Sequence, residues 1–307
     1  MSDLRHSLDD YLALRREFGY QLKNTGELLV KFVDFCERAD AHVVTIELAL
    51  AWATLPKDCS RVWGACRLRA VRGFARYLHA IDPRTEVPPA RLLPDGPHRV
   101  IPYLYSLDQV RALMEAARAL ASPLRAATSE TIIGLLATSG LRVGEALRLD
   151  RDDVDVREGV LTVRRTKFNK TRRVPLHPTS AEALSEYATR RDQLMLRPSS
   201  PAFFVSTSGI RVPYQSFLAT FNGLVNEVNL EARPSCRPRI HDLRHTFAMN
   251  VLTRWYEQGA DVPALLPSLS TYLGHADPAS TYWYLSGSRE LLRQAATRLE
   301  TLYKAGL

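Results

Sequence analysis

Four short segments in the C-terminal two-thirds of the chain each place a phosphate-handling side chain beside a turn or helix-cap signal. The first three carry Arg142 after a Ser-Gly break, Lys167 in a basic turn, and Arg244 inside a His-Asp-Leu-Arg-His run. The fourth is Leu-Gly-His, ending at His275, with Tyr284 nine residues further on. Arginine and lysine bind phosphate oxygens, and histidine can move a proton near neutral pH. Without a metal-ligand cluster among them, the set predicts attack of a tyrosine oxygen on a phosphodiester.

The two arginines stand near predicted helix starts. Arg142 opens a short helix, where its planar guanidinium can reach two phosphate oxygens, and Glu145 in the next turn can orient nearby basic groups. His241 and Arg244 share a helical face, so a phosphate there would meet a cation and a titratable imidazole. Taken alone, an arginine and a glutamate spaced like Arg142 and Glu145 are also typical of a helix surface. A histidine like His241 is also typical of a helix start where its role is structural.

The lysines lie in a predicted β-hairpin. Residues 161–165 and 173–176 are rich in β-forming residues and flank Lys167 and Lys170. A lysine at this tip can reach a leaving oxygen and protonate it. Both lysines are equally typical of a solvated loop.

Helix signals surround this hairpin. Residues 106–109 form a capping-box pattern, and a helix over about 122–138 ends at a Ser-Gly break. A glycine cap precedes His275, and Tyr284 lies on the next helix, where Tyr282 competes with it. Further helices are predicted over about 179–190, 214–229, 242–258, 263–272, 278–285 and 288–304. The fold class is mainly α, of the α+β type, with a small antiparallel β-sheet.

The N-terminal part is predicted to be helical over about residues 4–80. In its fourth helix an apolar line runs parallel to a basic line formed by Arg69, Arg72 and Arg76. One face can pack while the other meets phosphates and releases their counterions. A solvated arginine face is the ordinary alternative.

A proline-rich segment separates the two parts. Six prolines lie between residues 83 and 102. Proline forbids regular helix and stiffens the chain. The sequence therefore predicts a helical domain over 1–82, a linker over 83–103 and a second domain over 104–307.

Composition favours a globular protein with a polyanionic partner. The 307 residues suffice for two domains, and the formal net charge is +8. The four cysteines show no CxxC pair and no histidine at zinc spacing, so idle thiols in a reducing compartment are expected. No apolar run approaches the ~18 residues of a membrane span, so we expect a cytoplasmic protein with no membrane partner.

Taken together, the segments resemble the tyrosine recombinase (phage integrase) family over almost the whole chain. Residues 138–147 are similar to its first-arginine box, 167–176 to its lysine hairpin box and 241–248 to its second-arginine box. Leu-Gly-His with a tyrosine nine residues on is similar to the terminal box, in a form closest to transposon-borne members.

The resemblance implies a role for each residue. Alignment of the boxes selects Tyr284 over Tyr282 as nucleophile and Lys167 over Lys170 as the hairpin lysine. The implied catalytic set is Arg142, Lys167, His241, Arg244, His275 and Tyr284, with Glu145 in support. Domain 1–82 would be a core DNA-binding domain and 104–307 the catalytic domain. The implied DNA contacts are Arg69, Arg72, Arg76 and Lys170.

The family's chemistry implies site-specific cleavage and rejoining of DNA strands through a 3′-phosphotyrosyl intermediate, as in integration or transposition of mobile DNA. Neither a cofactor nor a metal is expected. The implied partner is double-stranded DNA, bound by a homo-tetramer on two sites, with monomers in free solution. A need for partner recombinases is left open.

Two other functions fit parts of the pattern. A DNA-binding accessory factor that does not cut could use the same scaffold, although it would not need the complete residue set. A type IB topoisomerase-like enzyme would nick and reseal one duplex by similar chemistry. A metal-dependent nuclease is disfavoured because acidic residues do not gather near the basic segments.

Overall fold

The computed structural model describes residues 3–20, 22–55, 61–94, 102–164, 171–195, 199–230, 237–275 and 281–282. The chain divides into two compact units, Met1–Arg99 and Val100–Leu307. Within the described ranges, no helix combines the length and the apolar character needed to cross a membrane.

The described part of the N-terminal unit is a bundle of helices. Their bounds are α1 (Asp3–Glu17), α2 (Lys23–Arg38), α3 (Ile46–Thr54) and α4 (Arg61–Ile81). Apolar stripes of these helices close around Leu8, Phe32 and Phe74, all fully buried. Helices α2 and α4 each contact the other three helices of the bundle. The helical prediction for this part is confirmed.

The chain that follows α4 lies against this bundle. Thr85 is buried, and the Arg72 guanidinium donates to the carbonyl oxygens of Pro88 and Pro89 at 2.8 and 2.6 Å. Proline lacks an N–H group but keeps its carbonyl as an acceptor. The first part of the proline-rich segment is thus anchored to the N-terminal unit, while the linker role of residues 83–103 stays a prediction.

The C-terminal unit is mostly helical and is built around one central helix. Its helices are α5 (Leu107–Arg118), α6 (Pro123–Ser139), α7 (Val143–Arg148), α8 (Pro178–Leu194), α9 (Tyr214–Glu227), α10 (Asp242–Glu257) and α11 (Val262–Leu273). Helix α6 packs against α5, α8 and α10 and buries Ile132, Ile133 and Leu136. Most of the residues of α6 are buried, which places this helix in the core of the unit. Apart from 281–282, the helices predicted over 278–285 and 288–304 lie outside the described residues.

A three-stranded antiparallel sheet flanks these helices. Its strands, in the order β1-β2-β3, are β1 (Val154–Asp155), β2 (Val160–Val163) and β3 (Arg172–Pro175). β2 and β3 form the predicted hairpin, with Val163 opposite Arg172. The hairpin tip, 165–170, lies outside the described residues. β1 is not predicted from the sequence, because two residues are too few to show alternation.

Cap geometry confirms three predicted helix boundaries, the start of α5 and the ends of α6 and α11. Ser106 Oγ accepts from the Gln109 N–H at 3.2 Å, and the Gln109 side chain accepts from the Ser106 N–H at 3.0 Å. Gly140 and Gly274 end α6 and α11 with left-handed φ values of 61° and 68°. A Cβ at Gly140 would also overlap the Phe247 ring. Both turns therefore require glycine.

Candidate active site

Arg142 lies where the turn after α6 enters α7. Gly140 ends α6, and Arg142 is the extended N-cap residue of α7. Its Nη1 donates to Glu145 Oε1 at 2.8 Å, and its Nη2 donates to the carbonyl oxygen of Gly274 at 3.2 Å. The side chain is 35% exposed, so the guanidinium is held in place yet accessible to a ligand.

Glu145 is a buried carboxylate between two arginines. Its Oε2 accepts from the backbone N–H of Arg142 at 3.0 Å. Arg172 donates from Nη1 to Oε1 at 3.1 Å and from Nη2 to Oε2 at 2.9 Å. Burial favours the neutral acid, but the hydrogen bonds and charge of Arg172, followed by those of Arg142, lower the pKa of Glu145 to about 2. Glu145 is therefore ionised at neutral pH.

Arg172 is a residue of this cluster that the sequence analysis does not identify. It opens β3, and its Nε donates to the carbonyl oxygen of Tyr272 at 2.9 Å. The side chain is 13% exposed. Alternation along the strand puts Arg172 on the same face as fully buried Val174. That inward face is the sequence signal that could have revealed it.

Arg244 is buried in the first turn of α10 and bridges two helix ends. Its Nη1 donates to the carbonyl oxygen of Gly140, and its Nη2 to that of Leu273, both at 2.8 Å. Carbonyls at the C-terminal end of a helix lack partners within the helix and attract cations. Arg244 therefore joins the turns that lead to Arg142 and His275.

Two histidines meet at the start of α10. The rings of His241 and His245 lie edge to face, with centroids 4.8 Å apart. Burial, followed by the charge of His241, lowers the pKa of His245 to about 3. Loss of hydration at the packed ring, followed by the charge of Arg244, lowers the pKa of His241. His241 is thus neutral near pH 7 and can accept a proton. The backbone N–H of Arg239 donates to buried Asp242 at 3.0 Å and fixes this turn.

His275 follows the left-handed Gly274 that ends α11. Its Nδ1 lies 2.7 Å from Thr281 Oγ1. Burial, followed by the charges of Arg244 and Arg142, lowers the pKa of His275 to about 4. A neutral imidazole whose ring is oriented by a hydroxyl can serve as a hydrogen-bond partner for a bound group.

The ends of α6 and α11 bring five of the predicted residues together: Arg142, Glu145, His241, Arg244 and His275. With the histidines neutral, Arg142 and Arg172 share the Glu145 carboxylate while Arg244 binds only backbone carbonyls, so this cluster carries net positive charge. Within the described ranges, no group of three or more His, Cys, Asp or Glu side chains is placed to hold a metal ion. The arrangement suits an anion such as a phosphate.

The remaining predicted residues are outside the described ranges or in the N-terminal unit. Lys167, Lys170 and Tyr284 lie outside the described residues. On α4 of the N-terminal unit, Arg69 and Arg76 are exposed at the surface, whereas Arg72 is half-buried. The roles of all of these residues stay predictions.

Relatives of known sequence match this chain over most of their length. A Sinorhizobium fredii protein named as an integrase/recombinase, y4rB, is 45% identical over 307 residues, which is 98% of each chain. The tyrosine recombinase XerC of Azotobacter vinelandii is 32% identical over 71% of this chain and 67% of its own.

Solved structures share the fold. The XerA recombinase superposes with a TM-score of 0.52 at 25% identity, covering 96% of this chain and 97% of its own. The Tn1549 transposon integrase in complex with transposon right end DNA superposes with a TM-score of 0.66 at 17% identity, covering 97% and 99%. Residues 105–290 match the model of the Phage integrase family. The chain therefore belongs to the phage integrase family and is a site-specific recombinase of the tyrosine type.

Proposed function

We propose that this recombinase cleaves and rejoins DNA strands through a covalent 3′-phosphotyrosyl link to Tyr284. The observation that carries the proposal is the placement of two arginines. Arg142 and Arg244 donate to the carbonyl oxygens of consecutive residues, Gly274 and Leu273. Two guanidiniums held side by side suit the two non-bridging oxygens of one phosphate.

In the proposed step the Tyr284 oxygen bonds to the scissile phosphorus while the bond from phosphorus to the 5′ oxygen breaks. A phenol of pKa about 10 is mostly protonated at neutral pH, so a base must take its proton. His241, with its lowered pKa, accepts that proton, and Lys167 supplies one to the departing 5′ oxygen. The two arginines and His275 stabilise the charge that builds on the non-bridging oxygens.

The reverse step restores the DNA. The phosphotyrosyl link conserves the energy of the broken bond, so a 5′-hydroxyl from another duplex can attack it and release Tyr284 without ATP. Two such exchanges recombine two duplexes. We infer four protomers on two double-stranded sites, monomers in free solution, and a role in integration or transposition of mobile DNA. XerH bound to difH substrate and a lambda integrase dimer bound to a core site have the same fold and support DNA as the substrate.

The test traps the covalent intermediate. Duplexes from the genomic neighbourhood of the coding sequence, carrying 5′-bridging phosphorothiolates, are incubated with the protein in EDTA, and SDS-resistant adducts are sequenced. We expect adducts at one sequence that disappear in Tyr284→Phe. Tyr282→Phe, two residues away and exposed, is the matched control and should form them normally.

Three other outcomes would change the assignment. Adducts that persist in Tyr284→Phe would contradict the choice of nucleophile. DNA binding without any adduct would favour an accessory factor that does not cut. Resealing that never joins two different duplexes would favour a type IB topoisomerase-like enzyme.

A further inference from the structure

We propose that Arg172 is a positioning residue for DNA cleavage, which holds Glu145 and the end of α11 so that Arg142 is aimed at the scissile phosphate. The inference rests on the proposed function, because it assigns a role within the same active site. Its evidence is the set of contacts that Arg172 makes with groups that in turn hold Arg142.

Arg172 contacts fixed partners through all three of its guanidinium nitrogens. Nη1 and Nη2 bind both carboxylate oxygens of Glu145, at 3.1 and 2.9 Å, and Nε binds the carbonyl oxygen of Tyr272 at 2.9 Å. These partners belong to α7 and α11. Because the guanidinium is planar and rigid, one side chain fixes the relative position of the two helices.

Glu145 transmits this constraint to Arg142. Its Oε1 accepts from Arg172 Nη1 at 3.1 Å and from Arg142 Nη1 at 2.8 Å. One carboxylate is thus shared by two cations, and Arg142 keeps positive charge for a ligand. Without Arg172 the buried carboxylate would be compensated by Arg142 alone, which would tighten the existing ion pair between Glu145 and Arg142 and leave less of the Arg142 charge for a ligand.

Gly274 supplies the second connection. A Cβ at this position would lie 2.8 Å from Nη1 and 2.9 Å from Cζ of Arg172, so the guanidinium packs directly on the Gly274 backbone. The carbonyl oxygen of the same residue accepts from Arg142 Nη2. Both of the side-chain contacts that orient Arg142 therefore lead back to Arg172.

The neighbouring residue offers a matched control. Arg173 lies next to Arg172 on β3, but alternation turns it outward and it is exposed. Replacing either arginine with lysine preserves the charge. Only at position 172 does lysine lose the fork that spans both carboxylate oxygens and the Tyr272 carbonyl.

The experiment compares Arg172→Lys, Arg173→Lys and the wild type in single-turnover adduct formation on the DNA site recovered with the wild type. Each protein is assayed on an ordinary phosphate and on a 5′-bridging phosphorothiolate, with DNA dissociation constants and urea midpoints measured in parallel. We expect Arg172→Lys to slow adduct formation by about 100-fold with little change in DNA affinity, because small displacements of a catalytic group have large effects on rate. Arg173→Lys should match the wild type.

The phosphorothiolate separates two routes by which Arg172 could act. A sulfur leaving group departs without a general acid. This substrate therefore restores the rate of cleavage when Lys167 is misplaced, but not when Arg142 is misplaced. We expect the loss in Arg172→Lys to persist on it. Recovery of the wild-type rate would overturn the proposal by assigning the effect to the hairpin lysine.

A second variant covers the case in which Arg172→Lys fails to fold. The double variant Glu145→Gln/Arg172→Gln replaces the buried ion pair with two amides that can bond to each other. We expect it to cleave more slowly than the wild type. A wild-type rate in either variant would overturn the positioning role while leaving the proposed function intact. If the wild type itself forms no Tyr284-dependent adduct, the proposed function fails and this role fails with it.

Discussion

Arg142 and Arg244 donate hydrogen bonds to the carbonyl oxygens of adjacent residues, Gly274 at 3.2 Å and Leu273 at 2.8 Å. The two arginines stand at the starts of different helices, α7 and α10. The C-terminal end of α11 therefore supports both of the arginines that are proposed to bind the phosphate. Any change that displaces this end of the helix should disturb both of them together.

Arg244→Lys should reduce both stability and cleavage. A lysine ammonium cannot donate to the carbonyls of Gly140 and Leu273 in the geometry of a planar guanidinium. We expect a loss of about 1–3 kcal/mol in the free energy of unfolding and adduct formation slower by about 10²–10³-fold. Urea unfolding and single-turnover assays measure the two effects. Arg254→Lys, exposed on the same helix, is the control, and equal losses in both variants would contradict the prediction.

Gly274→Ala should slow cleavage in addition to destabilising the fold through its backbone conformation. Gly274 and Gly259 share left-handed φ values of 68° and 69°, so alanine should cost about 1–2 kcal/mol at either site. A Cβ at Gly259 meets nothing within 4 Å, whereas one at Gly274 meets the Arg172 guanidinium at 2.8 Å. We expect only Gly274→Ala to slow adduct formation. If Gly259→Ala slowed it equally, the Arg172 contact would not be the cause.

His245 should make the protein less stable in acid. Its pKa is about 3 in the fold, chiefly because of burial, against about 6.5 when unfolded. Between these values the unfolded chain binds a proton that the folded chain does not. The contribution is therefore complete above pH about 6.5 and is lost as the pH falls toward 3, by up to about 1.4 kcal/mol per pH unit.

Urea midpoints at about pH 7 and about pH 4 test this prediction. The drop between them should be smaller in His245→Asn than in the wild type. His42→Asn, at an exposed position, should retain the full drop. An unchanged pH dependence in His245→Asn would place the acid sensitivity in another group.

Arg69→Gln and Arg76→Gln should each weaken DNA binding. The loss should depend on the salt concentration and be the same for every DNA sequence. Both residues are exposed on α4. If each neutralises one phosphate, its loss should reduce the slope of log K against log salt concentration by about 1. Fluorescence anisotropy titrations over a range of salt concentrations measure the slope. Arg16→Gln, exposed on α1, is the control, and slopes that do not differ from it would exclude these phosphate contacts.

Local interactions are what the sequence by itself determined. The Ser106 capping box and the left-handed Gly140 and Gly274 each join groups only a few residues apart, so the sequence shows where these helices begin and end. Hydrophobic periodicity similarly indicates a mainly α fold with one hairpin. The spacing of the motif boxes is also a property of the sequence alone, and the family that it indicates is confirmed by the match over residues 105–290.

Only the tertiary structure decided which partners these side chains have. Arg172 meets Glu145 across 27 residues and Tyr272 across 100, and Arg244 meets Leu273 across 29. A buried charge requires a partner, but the sequence does not say which one, because the choice depends on how α7, β3, α10 and α11 pack against each other. For this reason the sequence shows Arg172 only as an arginine at the edge of the hairpin loop. In the fold it is the ion-pair partner of Glu145 at the centre of the site.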